Sequence, residues 1–153
     1  MPNIQKVKII SKQVIGLQVR TTNEEEINQS RQKIVGLWKR FYSEVLPTLG
    51  EGGTVYGIYH NYESNKEGAF DVLVGADLLK EVTQEMKSVE ILEGKYLKFP
   101  VKGELPEAII ETWKQVWAYF DDPSVDERRA YKTDFELYLS ADEVDIYIGV
   151  DYL

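Results

Sequence analysis

One half of this chain repeats the other. Phe70-Asp71-Val72-Leu73-Val74-Gly75-Ala76-Asp77-Leu78 parallels Val144-Asp145-Ile146-Tyr147-Ile148-Gly149-Val150-Asp151-Tyr152, with Asp, Gly and Asp at matching places in an apolar frame, 74 residues apart. Trp38 and Phe41 parallel Trp117 and Phe120 at an offset of 79 residues. Loop length absorbs the difference between the two offsets. A single matched stretch arises easily by chance; two matches in the same order do not. The duplication predicts one domain over residues 1–153, built from repeats at about 4–80 and 88–153. Neither repeat is large enough to bury a helix against a sheet well by itself.

Each half reads as strand, helix, strand, strand. Ile15, Leu17 and Val19 alternate with Gly16, Gln18 and Arg20, the period of a half-buried strand. Asn23 and Glu26 then read as a capping box opening a helix. Ile27, Ile34, Leu37, Trp38, Phe41 and Val45 give that helix an apolar stripe to about Leu46, and Pro47 and Gly50 close it. Val55–His60 and Phe70–Gly75 follow as a strand pair joined by a long polar turn.

In the second half, Val89–Leu92 and Tyr96–Val101 read as strand, with a break or bulge at Glu93-Gly94. Pro106 opens a helix with Ile109, Trp113, Val116, Trp117 and Phe120 on one stripe. Thr133–Leu139 and Val144–Val150 are the last two strands. The expected class is α+β: tandem strand–helix–strand–strand units forming one antiparallel sheet, with the two main helices on one side. A cleft is expected near the pseudo-twofold axis, because pockets favour such seams.

Composition narrows the chemistry. The chain has no cysteine, which excludes disulfides, thiolate metal sites and cysteine nucleophiles. Its 26 acidic and 18 basic residues give a net charge of −8, a field that repels phosphate backbones, so direct nucleic-acid binding is not expected. No apolar leader or membrane-length apolar run is present, and a cytoplasmic location is the plain expectation. Aromatic residues reach 12%, led by ten Tyr, which suits both a sheet-rich fold and a ligand pocket.

Few residues carry obvious chemistry. His60 is the lone histidine, so a hydrogen-bonded structural role is expected and no metal site is. Asp71 and Asp145, paired by the repeat, read as fixing turns or edge geometry. Glu136 differs from the solvated carboxylates of the helix starts and loops. Phe135, Leu137 and Leu139 occupy one face of its strand; Asp134, Glu136 and Tyr138 occupy the other. That second face is either solvent or the cleft. In the cleft, desolvation would raise the carboxyl pKa unless a cation paired with it. A cationic aromatic ligand would supply both charge and a partner for aromatic walls.

Gly57-Ile58-Tyr59-His60, Phe70–Gly75 and above all Tyr131-Lys132-Thr133-Asp134-Phe135-Glu136-Leu137-Tyr138 resemble the GyrI-like effector-binding domain, the ligand-binding part of bacterial multidrug-sensing transcription regulators. The resemblance spans about residues 4–152. It implies the same tandem fold and a cleft glutamate, here Glu136, that recognises lipophilic cations. It also implies aromatic walls, for which Trp38, Tyr56, Tyr59, Trp113, Trp117, Tyr138 and Tyr147 are the matching residues. Regulators of this kind carry a DNA-binding domain before this one; with the resemblance beginning at about residue 4, a stand-alone domain is expected.

The leading expectation is a sensor or sequestering protein for a small organic cation, with no catalytic residue and no cofactor. Two alternatives remain. One is a protein-interaction regulator resembling gyrase-inhibitory proteins, acting on a protein partner or as a homodimer. The other is a small-molecule hydrolase with Glu136 as general base.

Overall fold

The computed structural model describes residues 4–140 and 142–152. Met1, Pro2, Asn3, Ala141 and Leu153, which the one-domain expectation included, lie outside the described residues. The strands are β1 (Gln5–Ile9), β2 (Lys12–Thr21), β3 (Val55–His60), β4 (Phe70–Ala76), β5 (Lys87–Ile91), β6 (Gly94–Pro100), β7 (Glu127–Ser140) and β8 (Glu143–Tyr152). The helices are α1 (Asn23–Glu26), α2 (Ile34–Arg40) and α3 (Glu107–Asp121). All eight strands form one antiparallel sheet in the order β1-β6-β8-β7-β3-β4-β2-β5. The expected α+β class with its single antiparallel sheet is what the chain adopts.

The strand order carries a second consequence. β1 and β2 adjoin in sequence yet lie near opposite ends of the sheet, and so do β5 and β6. Two-residue links, Ile10-Ser11 and Leu92-Glu93, therefore draw the ends together on the side away from the helices. Val7, Ile9, Val14, Val89, Ile91 and Tyr96 from these strands close over Tyr56, Ile58, Leu73, Phe135 and Tyr147 from the centre. The result is an aromatic-rich core behind the sheet.

The helix side has two separate apolar cores. Leu37, Phe41 and Val45 pack on Leu17, Val72 and Val74 of β2 and β4. Val116, with Ile109 and Phe120, packs on Leu97, Phe99, Ile146 and Ile148 of β6 and β8. Between them runs the β3–β7 seam. Two strands, not the expected one, precede each helical segment: β1 and β2 before α1, and β5 and β6 before α3.

The first helical region departs from the expected continuous helix. Thr22, not Asn23, is the N-cap, accepting from Glu25 N at 3.0 Å. Glu26 ends α1 and caps the next helix instead, accepting from Lys33 N at 3.0 Å and Ile34 N at 3.1 Å. Ile27, expected on the inner stripe, is 85% exposed in the break. After α2 the backbone widens into a π-helical turn over Phe41–Val45 and closes with a 3₁₀ turn over Leu46–Thr48. Such wide turns recur at functional sites. This one begins three residues after Trp38.

Candidate ligand-binding site

β7 builds the site. Its residues Asp134, Glu136 and Tyr138 point to the helix side, and Phe135 points to the rear core. Opposite Glu136 across the seam stands Gly57. A Cβ at Gly57 would lie 3.0 Å from Glu136 Oε1 and 3.4 Å from Trp38 Cζ2, so glycine leaves the room that the carboxylate and the indole occupy.

Glu136 is 2% exposed. Three neutral groups donate to it. Tyr138 OH reaches Oε1 at 2.6 Å; Tyr59 OH and Trp113 Nε1 both reach Oε2, each at 2.8 Å. Burial raises the Glu136 pKa, while the three donors hold the rise in check. Among the described residues its hydrogen-bond partners are those three neutral groups, and no ion pair reaches it. Burial and the neighbouring carboxylate push the Tyr59 and Tyr138 hydroxyls well above the ordinary tyrosine value, so both stay protonated as donors.

Aromatic rings surround the carboxylate from both helices. Trp38 of α2 meets Tyr138 edge-on at 5.0 Å between centroids, and the Tyr42 ring lies 5.8 Å from that of Trp38. Trp113 of α3 meets Tyr59 edge-on at 5.0 Å. A ligand reaching Glu136 therefore has to part rings that touch in this structure.

Two residues along the same strand, a second carboxylate is treated differently. Asp134 is 0% exposed and has an internal cation. Arg129 Nη2 lies 2.9 Å and Nε 3.3 Å from Asp134 Oδ2, and Tyr62 OH donates to the same oxygen at 2.5 Å. Asp134 Oδ1 accepts from Gly149 N at 2.9 Å. Burial pulls the Arg129 pKa down, but the Asp134 charge outweighs it and holds the guanidinium above its usual value.

A bulge makes this pair possible. Arg129 is paired with Val150 and Asp134 with Ile148, so four residues of β7 face one residue of β8. The odd excess of three reverses the inward–outward alternation. Arg129 thereby falls on the same side as Asp134, and Tyr131, within the bulge, takes a left-handed φ of 54°. The Arg129 guanidinium carbon then sits 4.7 Å from the Tyr131 ring centroid, 5.6 Å from Tyr62 and 5.8 Å from Trp113.

Of the expected site residues, Glu136, Trp38, Tyr59, Trp113 and Tyr138 come together. Tyr56 and Tyr147 do not. They stand in the rear core, where Tyr147 stacks on Phe135 at 4.6 Å with the rings 8° from parallel. Strand alternation is the reason: Tyr56 neighbours Gly57, and Tyr147 faces Phe135 in register. Trp117 lines a separate cavity with Arg129 and Tyr131. His60 contacts Gln18 Oε1 at 2.8 Å, Asp71 accepts from Arg20 and Asn61, and Asp145 lies 3.5 Å from Lys98 Nζ. Sequence reasoning missed Gly57, Tyr62 and Arg129. Extending the 79-residue offset would have found the first, since it sets Gly57 against Glu136 and Tyr59 against Tyr138.

Two helices and two central strands thus converge on one buried carboxylate within a single-sheet fold, and a fold of this kind belongs to effector-binding domains. The chain belongs to the Cass2 family of integron-associated effector binding proteins, whose family model matches residues 7–150. It is 42% identical to the integron cassette protein VCH_CASS2 from the mobile metagenome of Vibrio cholerae, over 97% of this chain and 95% of that one, with a TM-score of 0.90. YobU of Bacillus subtilis (strain 168), described as a candidate transcriptional regulator, is 26% identical over 91% of this chain and 92% of its own. SAV2435, solved bound to tetraphenylphosphonium, shares the fold at a TM-score of 0.71 and 18% identity, over 97% of this chain and 94% of that one. No helix among the described residues is long and apolar enough to cross a membrane.

Proposed function

We propose that this protein binds lipophilic or aromatic organic cations at Glu136, as a sensor or sequestering protein. The observation that carries the reading is the contrast between two buried carboxylates on one strand face. Asp134 has Arg129 as its counter-ion, whereas Glu136 is met by three neutral donors. A buried carboxylate with neutral partners alone is costly to ionise. An arriving cation supplies the missing charge, and the Trp38, Trp113, Tyr59 and Tyr138 rings supply faces for an onium or aromatic group. Discrimination follows from the same arrangement: neutral analogues leave the carboxylate uncompensated, and anionic ones oppose it. The solved neighbour bound to tetraphenylphosphonium supports this ligand class at the level of fold.

Calorimetric titration with tetraphenylphosphonium, on the native protein and on Glu136→Gln, tests the reading. Saturable binding that the substitution weakens at least about tenfold is expected, since an interaction with a charged partner is worth about 1.5–3 kcal/mol. Equal affinity in both proteins, or no saturable binding to the native one, would remove Glu136 as the anchor.

A further inference from the structure

We propose that the cavity between α3 and the β7 bulge is a second binding site, for a neutral aromatic ring carrying a hydrogen-bond acceptor such as an aryl amide or ketone. The cavity measures about 160 Å³. That is close to the roughly 150 Å³ apolar cavity known to hold a benzene. Trp117 and Phe120 of α3 and Tyr131 of the bulge supply its aromatic walls.

Arg129 supplies the polar wall. Its side chain is 8% exposed and held firmly: Nε and Nη2 are taken by Asp134, Nη2 also approaches Tyr62 OH at 3.3 Å, and the plane rests near the Tyr131 ring. Nη1 has no hydrogen-bond partner among the described residues. No fully buried side-chain nitrogen or oxygen among them lacks a partner, so Nη1 keeps some contact with solvent although the side chain as a whole is nearly buried. A guanidinium fixed on one edge and unbonded on the other is a preorganised donor.

Charge around the cavity selects a neutral guest. Arg129 and Lys66 line it on the basic side and Glu67 and Asp121 on the acidic side, with Lys66 Nζ 3.4 Å from Asp121 Oδ1 and Asp134 behind Arg129. The lining holds two acidic and two basic groups, and Asp134 already offsets the Arg129 charge, so a carboxylate finds no uncompensated cation there. A cation meets the Arg129 charge on entering. A neutral carbonyl accepts from Nη1 without either penalty, while its ring lies among the Trp117, Phe120 and Tyr131 side chains. This site does not rest on the cation reading of Glu136, which is absent from its lining.

The test is a titration of ¹⁵N-labelled protein with benzamide, toluene and benzoate, following the Trp indole N–H and Arg129 Nε–H signals. Benzamide is expected to shift the Trp117 and Arg129 signals saturably, and to bind about tenfold tighter than toluene or benzoate, as one charged-donor hydrogen bond would give. Arg129→Lys keeps a cation for Asp134 but removes the planar donor; it should abolish the advantage of benzamide over toluene. Toluene binding as tightly as benzamide in the native protein would overturn the proposal, as would tighter binding of benzoate. Shifts confined to Trp38 and Trp113, or no saturable shift, would overturn it too. The comparison of the three probes uses native protein alone, so it decides the matter even where the lysine variant folds poorly.

Discussion

Gly57 and Glu136 face each other across the β3–β7 seam, and they are 79 residues apart, the offset that also relates Trp38 to Trp117. Tyr59 and Tyr138 stand at the same offset, and both hydroxyls donate to Glu136. The paired strands thus bring two tyrosines to one point, but only one strand contributes a carboxylate there. The other contributes an absence of side chain. A carboxylate at both positions would set two like charges together in a buried seam, which raises the energy of both.

Gly57→Ala is therefore expected to damage the site more than the fold. The added methyl would meet Glu136 Oε1 at 3.0 Å and Trp38 Cζ2 at 3.4 Å. Overpacking of this kind costs about 1–3 kcal/mol. Relief requires the carboxylate or Trp38 to move, so tetraphenylphosphonium binding should fall along with stability. Urea unfolding and calorimetry on the same variant check both; unchanged affinity would show that Gly57 makes no room for the site.

The single antiparallel sheet was legible in the sequence because short alternating apolar runs recur along the chain, broken by polar turns. The face of Glu136 was legible as well, since alternation along Phe135–Tyr138 has no interruption; the register shifts only at Leu139, which was expected beside Phe135 and Leu137 but is exposed. The misplaced aromatics have a plain cause. Tyr56 and Tyr59 are three residues apart on one strand, so both cannot point to the same side of a sheet. The face of Tyr147 depended on its register with Phe135, which only pairing reveals. Arg129 was hidden by the bulge: alternation carried back from Asp134 puts it on the wrong side, and three extra residues reverse that. The broken first helix was obscured because Glu26 sits where a capping box needs it, yet it caps the helix that begins at Ile34.

The raised Glu136 pKa makes cation binding pH-dependent. The groups facing the carboxyl are Tyr59 of β3, Tyr138 of β7 and Trp113 of α3, and none of them changes charge near neutrality. Only ionised Glu136 attracts a cation. Affinity should therefore rise with pH until the raised pKa is passed and then level off, with a limiting slope of about tenfold per pH unit below it. Titrations between pH 5 and 8 check this; in Glu136→Gln the dependence should vanish.

Stability should run the other way. A carboxyl whose folded pKa lies above its unfolded one binds its proton more tightly in the folded state. Stability is then greatest below the unfolded pKa and is lost as pH rises through the folded one. Glu136→Gln removes that loss. Its carbonyl can accept from Tyr59 and Trp113, and its amide can donate to the Tyr138 oxygen. The melting temperature of the variant minus that of the native protein should therefore increase from pH 5 to pH 8. A constant difference would mean that Glu136 titrates alike in the folded and unfolded chain.

Arg129 and Asp134 should behave as a unit. Both are nearly sealed from water, so Asp134→Asn leaves a buried guanidinium without its charge partner, and Arg129→Met leaves a buried carboxylate with only Tyr62 and the Gly149 amide. Each single change is expected to cost about 3–5 kcal/mol. The double change removes both charges together and should cost less than the sum of the two. Urea unfolding of the four proteins measures the coupling; additive losses would show that the two side chains stabilise the fold independently, and that the β7 bulge does not depend on their pairing.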